Sequence, residues 1–145
     1  MIDRIKNDLK DAMRAGDPLT VATLRMLLAQ LQYARIEAGH DLQEPEVLAV
    51  LERAVKTRRD SIEQFEKGGR ADLAAKERSE IAVVQRYLPE AMSPEAIAAA
   101  IDALIQEVGA TGKKDLGRVM KEFMARHRGR VDGKAVNALI ASRLP

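Results

Sequence analysis

Apolar residues recur every three to four positions along almost the whole chain, the spacing of one face of an α-helix. Ile2, Ile5, Leu9 and Met13 form the first stripe, and Gly16 stops it. Asp17 and Pro18 restart the chain as an N-cap and a first helical residue. Val21, Leu24, Leu28 and Leu31 carry this second helix to about Gly39. A third helix is predicted from Glu44 and Pro45, with Leu48, Leu51, Val55, Ile62 and Phe65 turned inward, until Gly68 and Gly69 end it. A fourth starts near Arg70, carries Leu73, Ile81, Val84 and Leu88, and meets Pro89. Four amphipathic helices with short connections predict an antiparallel bundle or a pair of helical hairpins.

The run from Pro89 to Pro94 marks the predicted boundary between an N-terminal helical domain, 1–90, and a C-terminal three-helix domain, 91–145. Ser93, Pro94 and Glu95 open the fifth helix, which buries Ile97, Ile101, Leu104 and Val108 before Gly109 and Gly112 interrupt it. The sixth is predicted from about Lys114 to His127, with Gly129 breaking it. Asp132 and Gly133 cap a seventh, carrying Val136, Leu139, Ile140 and Leu144. No strand-like alternation and no fixed-period repeat appears, so the expected fold class is all-α.

Composition narrows the chemistry. Aromatics are 3% of the chain, so the core must be aliphatic, with Phe65 and Phe123 read as core and Tyr33 and Tyr87 as the remaining rings. With no cysteine, disulfides, thiolate nucleophiles and cysteine-bound zinc are all excluded. No apolar run approaches the roughly 20 residues that span a membrane. The opening MIDRIKNDLKDAM is too mixed in charge for a secretory signal. The expected setting is the cytoplasm, with no membrane partner.

The net charge of +2 is unevenly distributed. From Gly109 onward nine Lys or Arg stand against three acids, leaving 15 against 19 in residues 1–108. A basic tail on a mildly acidic body suits a polyanion-binding appendage, and equally an uneven solvated surface. At about 100° per residue, Lys114, Arg118 and Lys121 share one face of the sixth helix. Leu116, Met120 and Phe123 lie opposite, flanked by Val119 and Met124. Arg126, Arg128, Arg130 and Lys134 cluster around the following turn, beside the partial positive charge of the seventh helix's N-terminus. With Lys113, these cations are the candidate nucleic-acid-binding residues, and scarce aromatics favour folded RNA over stacking on unpaired bases.

The glycines spell no phosphate loop, because Gly133-Lys134 is followed by Ala135 rather than Ser or Thr. Gly117, inside the predicted sixth helix, costs about 1 kcal/mol against alanine, which a close helix crossing would explain. Ser61, Ser79, Ser93 and Ser142 lack a glycine-rich nucleophile setting, and Ser93 reads as a helix cap. Glu37 and His40 show a single ExxH spacing, half of what a di-iron bundle needs. No catalytic residue, metal ligand or cofactor site is assigned. In Thr57 to Arg70, opposite charges three to four apart around Arg58, Arg59, Glu63, Glu66 and Lys67 read as an exposed helix face or a docking surface.

Two long blocks resemble the GatB/YqeY family, and its stand-alone YqeY-type members in particular. They are ERAVKTRRDSIEQFEKGGRADLAAKERSEIAVVQRYLPEAMS, from Glu52, and KKDLGRVMKEFMARHRGRVDGKAVNALI, from Lys113. The resemblance covers essentially the whole chain and implies two all-helical parts. It also implies kinship with the tail of the B subunit of tRNA-dependent amidotransferases, which contacts the body of tRNA. Gly117, Met120, Gly129, Val136, Asn137 and Leu139 match that tail's pattern, whereas Gly133 stands where B-subunit tails commonly carry proline. The family label is carbon–nitrogen ligase chemistry with glutamine as amide donor. The expected function is non-catalytic binding of tRNA or another structured RNA. The alternative is an adaptor whose basic module docks an acidic protein, with a protein of the aminoacyl-tRNA machinery as a further partner.

Overall fold

The computed structural model describes all residues from Met1 to Pro145 as seven α-helices and one 3-10 turn, without a strand. The fold is all-α. The chain divides into two compact units, Met1–Leu88 and Pro89–Pro145.

The first unit holds α1 (Ile2–Ala15), α2 (Pro18–Ala38), α3 (Glu44–Lys67) and α4 (Ala71–Gln85). Gly16 ends α1 in the left-handed conformation at φ 67°. One residue later the Asp17 carboxylate accepts hydrogen bonds from the Thr20 amide at 3.1 Å and its hydroxyl at 2.7 Å. The chain thus reverses within three residues, and α1 packs along α2. The longest contact joins α3 and α4, and α4 also lies against α2.

Ile5, Leu24, Leu27, Leu31, Leu51, Val55, Val84 and Tyr87 form the centre of this unit. Two inward assignments shift by one residue. Leu27 and Val47 are buried, whereas Leu28 and Leu48 are only partly so. Both positions fall in continuous apolar runs, where spacing alone offers two faces. Phe65 is also only partly buried, and the aromatic ring of this core is Tyr87. Its hydroxyl donates to Asp8 at 2.6 Å, and Arg4 lies over its ring.

The second unit holds α5 (Pro94–Val108), the 3-10 turn Lys113–Asp115, α6 (Leu116–His127) and α7 (Gly133–Arg143). Ser93 caps α5 by accepting from the Ala96 amide, and Asp132 caps α7 by accepting from the Lys134 amide. Ile101, Leu104, Val119, Phe123, Val136 and Ile140 close a separate core. The buried centre of α6 is therefore Val119 and Phe123, with Leu116, Met120 and Met124 packed at its edge.

Candidate nucleic-acid interface

The 3-10 turn delays the start of α6 to Leu116, two residues beyond the predicted start. Gly117 thus sits in the first turn of α6, and a Cβ built there meets nothing within 4 Å. It faces open space, and no close crossing accounts for it.

With Val119 and Phe123 inward, the opposite face of α6 presents Arg118, Lys121 and Ala125, and Lys121 and Arg128 stand two turns apart with a rise of about 10 Å between them. Lys113 and Lys114 extend this exposed run from the 3-10 turn. Lys113, Lys114, Lys121 and Arg128 are exposed and make no ion pair. Between these cations the face carries Gly117, Ala125 and the tethered Arg118.

The other candidate cations have structural partners. Arg118 donates to the Val108 carbonyl at 2.9 Å, satisfying the C-terminus of α5, and to Asp115 at 3.1 Å. Arg126 turns away from the exposed row. Its two terminal nitrogens grip both Glu107 oxygens at 2.8 and 2.7 Å, and its Nε reaches Glu122 at 3.0 Å. Arg130 donates to the Glu90 carbonyl at 2.9 Å, while its own carbonyl accepts from the Met92 amide at 3.0 Å. These contacts pin the segment entering α5 to the turn after α6. Lys134 lies at the start of α7 and is itself partnered. Sequence reasoning grouped these cations on one face of α6 and around the turn that follows, and the structure gives Arg118, Arg126 and Arg130 partners on neighbouring segments.

A further pair ties α7 to α5, with Arg143 bidentate on Asp102 at 2.7 and 2.5 Å. Hydrogen bonds from Arg143 and Arg126 hold the Asp102 and Glu107 carboxyls below their ordinary range. Asp115 is lowered first by the Thr111 amide and then by Arg118. A carboxylate depressed in the folded state stabilises above its unfolded pKa, and that contribution is lost as pH falls through the folded value. The second unit should therefore lose stability progressively below about pH 4. Urea midpoints across a pH series would check this, and Asp102→Asn should flatten part of the slope.

His127 packs on Phe123 with ring centroids 4.5 Å apart, and its buried Nδ1 has no hydrogen-bond partner. Burial, then Arg130 and Arg126, push its pKa down, so the neutral ring is favoured. A position near a helix C-terminus by itself favours the cation, and burial outweighs it here. Gly129 follows at φ 81°, a conformation that side chains rarely adopt. Gly129→Val should cost the second unit about 1–2 kcal/mol, visible in thermal unfolding. The same change should loosen the Arg130–Glu90 bond.

The Thr57 to Arg70 block is internally engaged. Lys67 pairs with Glu63 at 3.4 Å, and Glu66 pairs with Arg78 of α4. Arg58, expected on an exposed face, is instead 5% exposed and bonds Glu80 at 3.1 Å and the Ala54 carbonyl at 3.0 Å. His40 lies beyond α2 with its Nε2 3.7 Å from Glu46. Ser79 and Ser142 donate to carbonyls of their own helices.

A family described as YqeY-like protein matches residues 2–144. The chain belongs to the YqeY-like family. Among curated relatives, altered inheritance of mitochondria protein 41 of Lachancea thermotolerans is 38% identical over 108 residues, covering 74% of this chain and 57% of the relative. An uncharacterized protein of Schizosaccharomyces pombe is 36% identical over 86 residues, covering 59% of this chain and 70% of the relative. The Pyrenophora tritici-repentis protein that shares the first relative's name is 30% identical over 144 residues, 97% of this chain and 78% of the relative. The match to the first of these spans little more than half of that relative's length. Two of the three names are mitochondrial, which departs from the plain cytoplasmic expectation. No helix of this YqeY-like chain is long and apolar enough to cross a membrane.

Proposed function

We propose that the C-terminal unit binds structured RNA, with tRNA as its leading candidate, and that the chain acts without catalysis of its own. The supporting observation is the exposed row of Lys114, Lys121 and Arg128, which no carboxylate of the chain neutralises. A phosphate backbone supplies the missing negative charge, and each such contact releases counterions. The only Phe, Tyr or Trp of this unit is Phe123, which is fully buried. Without a ring to stack on bases, recognition falls to the shape and backbone of folded RNA. The resemblance to amidotransferase B-subunit tails favours tRNA within that class.

The test is an electrophoretic mobility shift with unfractionated tRNA across a salt series. Binding that weakens linearly on a log–log plot of affinity against salt supports the proposal. No shift at low salt, together with nuclease-resistant capture of an acidic protein, replaces it with the adaptor reading.

A further inference from the structure

The first unit carries a second apolar stripe that its own core leaves uncovered. Ala22, Met26, Ala29, Tyr33 and Ile36 recur at spacings of four, three, four and three along α2, the seam of a two-stranded coiled coil. They lie on the side of the helix away from Leu24, Leu27 and Leu31. All five are exposed, Tyr33 at 64% and Ile36 at 68%. The helix is thus apolar on two sides, as expected of an element packed between two layers. Met26, Ala29 and Tyr33 also form one wall of a groove whose other wall is Val50 and Ala54 of α3.

We propose that this face docks on the same face of a second copy of the chain, with the two α2 helices antiparallel. Residue sizes along the seam are self-complementary in that direction. A twofold axis at Ala29 sets Ala22 against Ile36 and Met26 near Tyr33. Ala29 then meets its own copy, which allows the helix axes to approach to about 8 Å. Charge points to the same occupant. The groove is lined by one carboxylate, Glu37, and one cation, Arg53, and neither makes an ion pair within the protomer. A groove for a strongly acidic or basic partner would carry one sign, whereas a balanced pair suits a face that meets its own copy. Tyr33 brings large apolar area and a hydroxyl that stays at the rim, a combination enriched at interfaces. One helix-on-helix contact lies at the small end of specific interfaces, at or below about 1,200 Å2 in total, so the dimer is concentration-dependent. This surface belongs to the first unit and does not rest on the RNA reading.

Sedimentation equilibrium of the full chain from about 1 to about 500 µM should show the mass move from one copy toward two. Tyr33→Glu with Ile36→Lys should weaken self-association by about 100-fold or more, with helicity by circular dichroism unchanged. Because the chain has no cysteine, single-cysteine variants report the geometry. Ala29→Cys should form a disulfide with its own copy on mild oxidation. Ala22→Cys should cross-link to Ile36→Cys in a mixture and not to itself. A one-copy mass across the whole range overturns the proposal, as does a dimer unaffected by the double variant. Self-cross-linking of Ala22→Cys overturns the antiparallel pairing, whatever Ala29→Cys does.

Discussion

Arg58→Ala should be the most destabilising single substitution outside the apolar core, costing about 3–5 kcal/mol. That is a large share of the roughly 5–15 kcal/mol that holds a typical domain folded. The loss is not that of a surface bridge. The Arg58 guanidinium is buried, with Nε on Glu80, Nη1 on the Ala54 carbonyl and Nη2 3.6 Å from the Met26 sulfur. Removing it leaves the Glu80 carboxylate, 16% exposed, without its counter-charge. Glu77 aggravates this, since burial and then Glu80 already raise its pKa, with Arg58 opposing them. A carboxyl raised in the folded state destabilises as pH rises through the folded value, so the deficit should shrink as pH falls toward about 4. Arg58→Met with Glu80→Leu should recover most of the stability, because no charge is then stranded. Urea denaturation of the three proteins at neutral and acidic pH provides the check. A loss below about 1 kcal/mol would mean that the pair behaves as an exposed one.

Arg58 also shows where the sequence stops being informative. It stands beside Arg59 in a run of alternating charges, yet the stripe of Leu51, Val55, Ile62 and Phe65 puts position 58 on the inward face, and what the sequence leaves open is its partner. The deciding residue, Glu80, lies 22 positions away on another helix. The helices themselves were legible, because Gly16, Asp17-Pro18, Ser93-Pro94 and Asp132 act locally and end or start helices wherever they stand. The same division runs through the basic stretch. That Lys121 and Arg128 face outward follows from helical spacing against Val119 and Phe123, whereas Lys114 is exposed from the 3-10 turn. That Arg118, Arg126 and Arg130 are bound to Val108, Glu107 and Glu90 depends on which element packs beside them. Periodicity gives the face of a helix but not its neighbour, so an arginine that fastens helices and one free to bind phosphate look alike in sequence.

That distinction determines which substitutions test RNA binding. Lys114→Glu, Lys121→Glu and Arg128→Glu combined should weaken tRNA binding by at least about 100-fold at low salt, with the second unit still folded. Each lost phosphate contact should also flatten the log affinity–log salt slope by about 0.7–0.9. Reversing Arg118 gives a less clean result, since Arg118→Glu also removes the donor that satisfies the end of α5 and places a carboxylate beside Asp115. Its loss of binding should come with a lowered melting temperature. Met120→Ala is the packing control. Met120 is only partly buried, so the cost should fall at or below the low end of the about 2–5 kcal/mol range for buried methionine, and the folded fraction should bind normally. If the triple reversal binds tRNA as tightly as the parent chain, the exposed row is a solvated surface. If only the Arg118 variant loses binding, the loss reports disruption of the helical scaffold rather than of a phosphate contact.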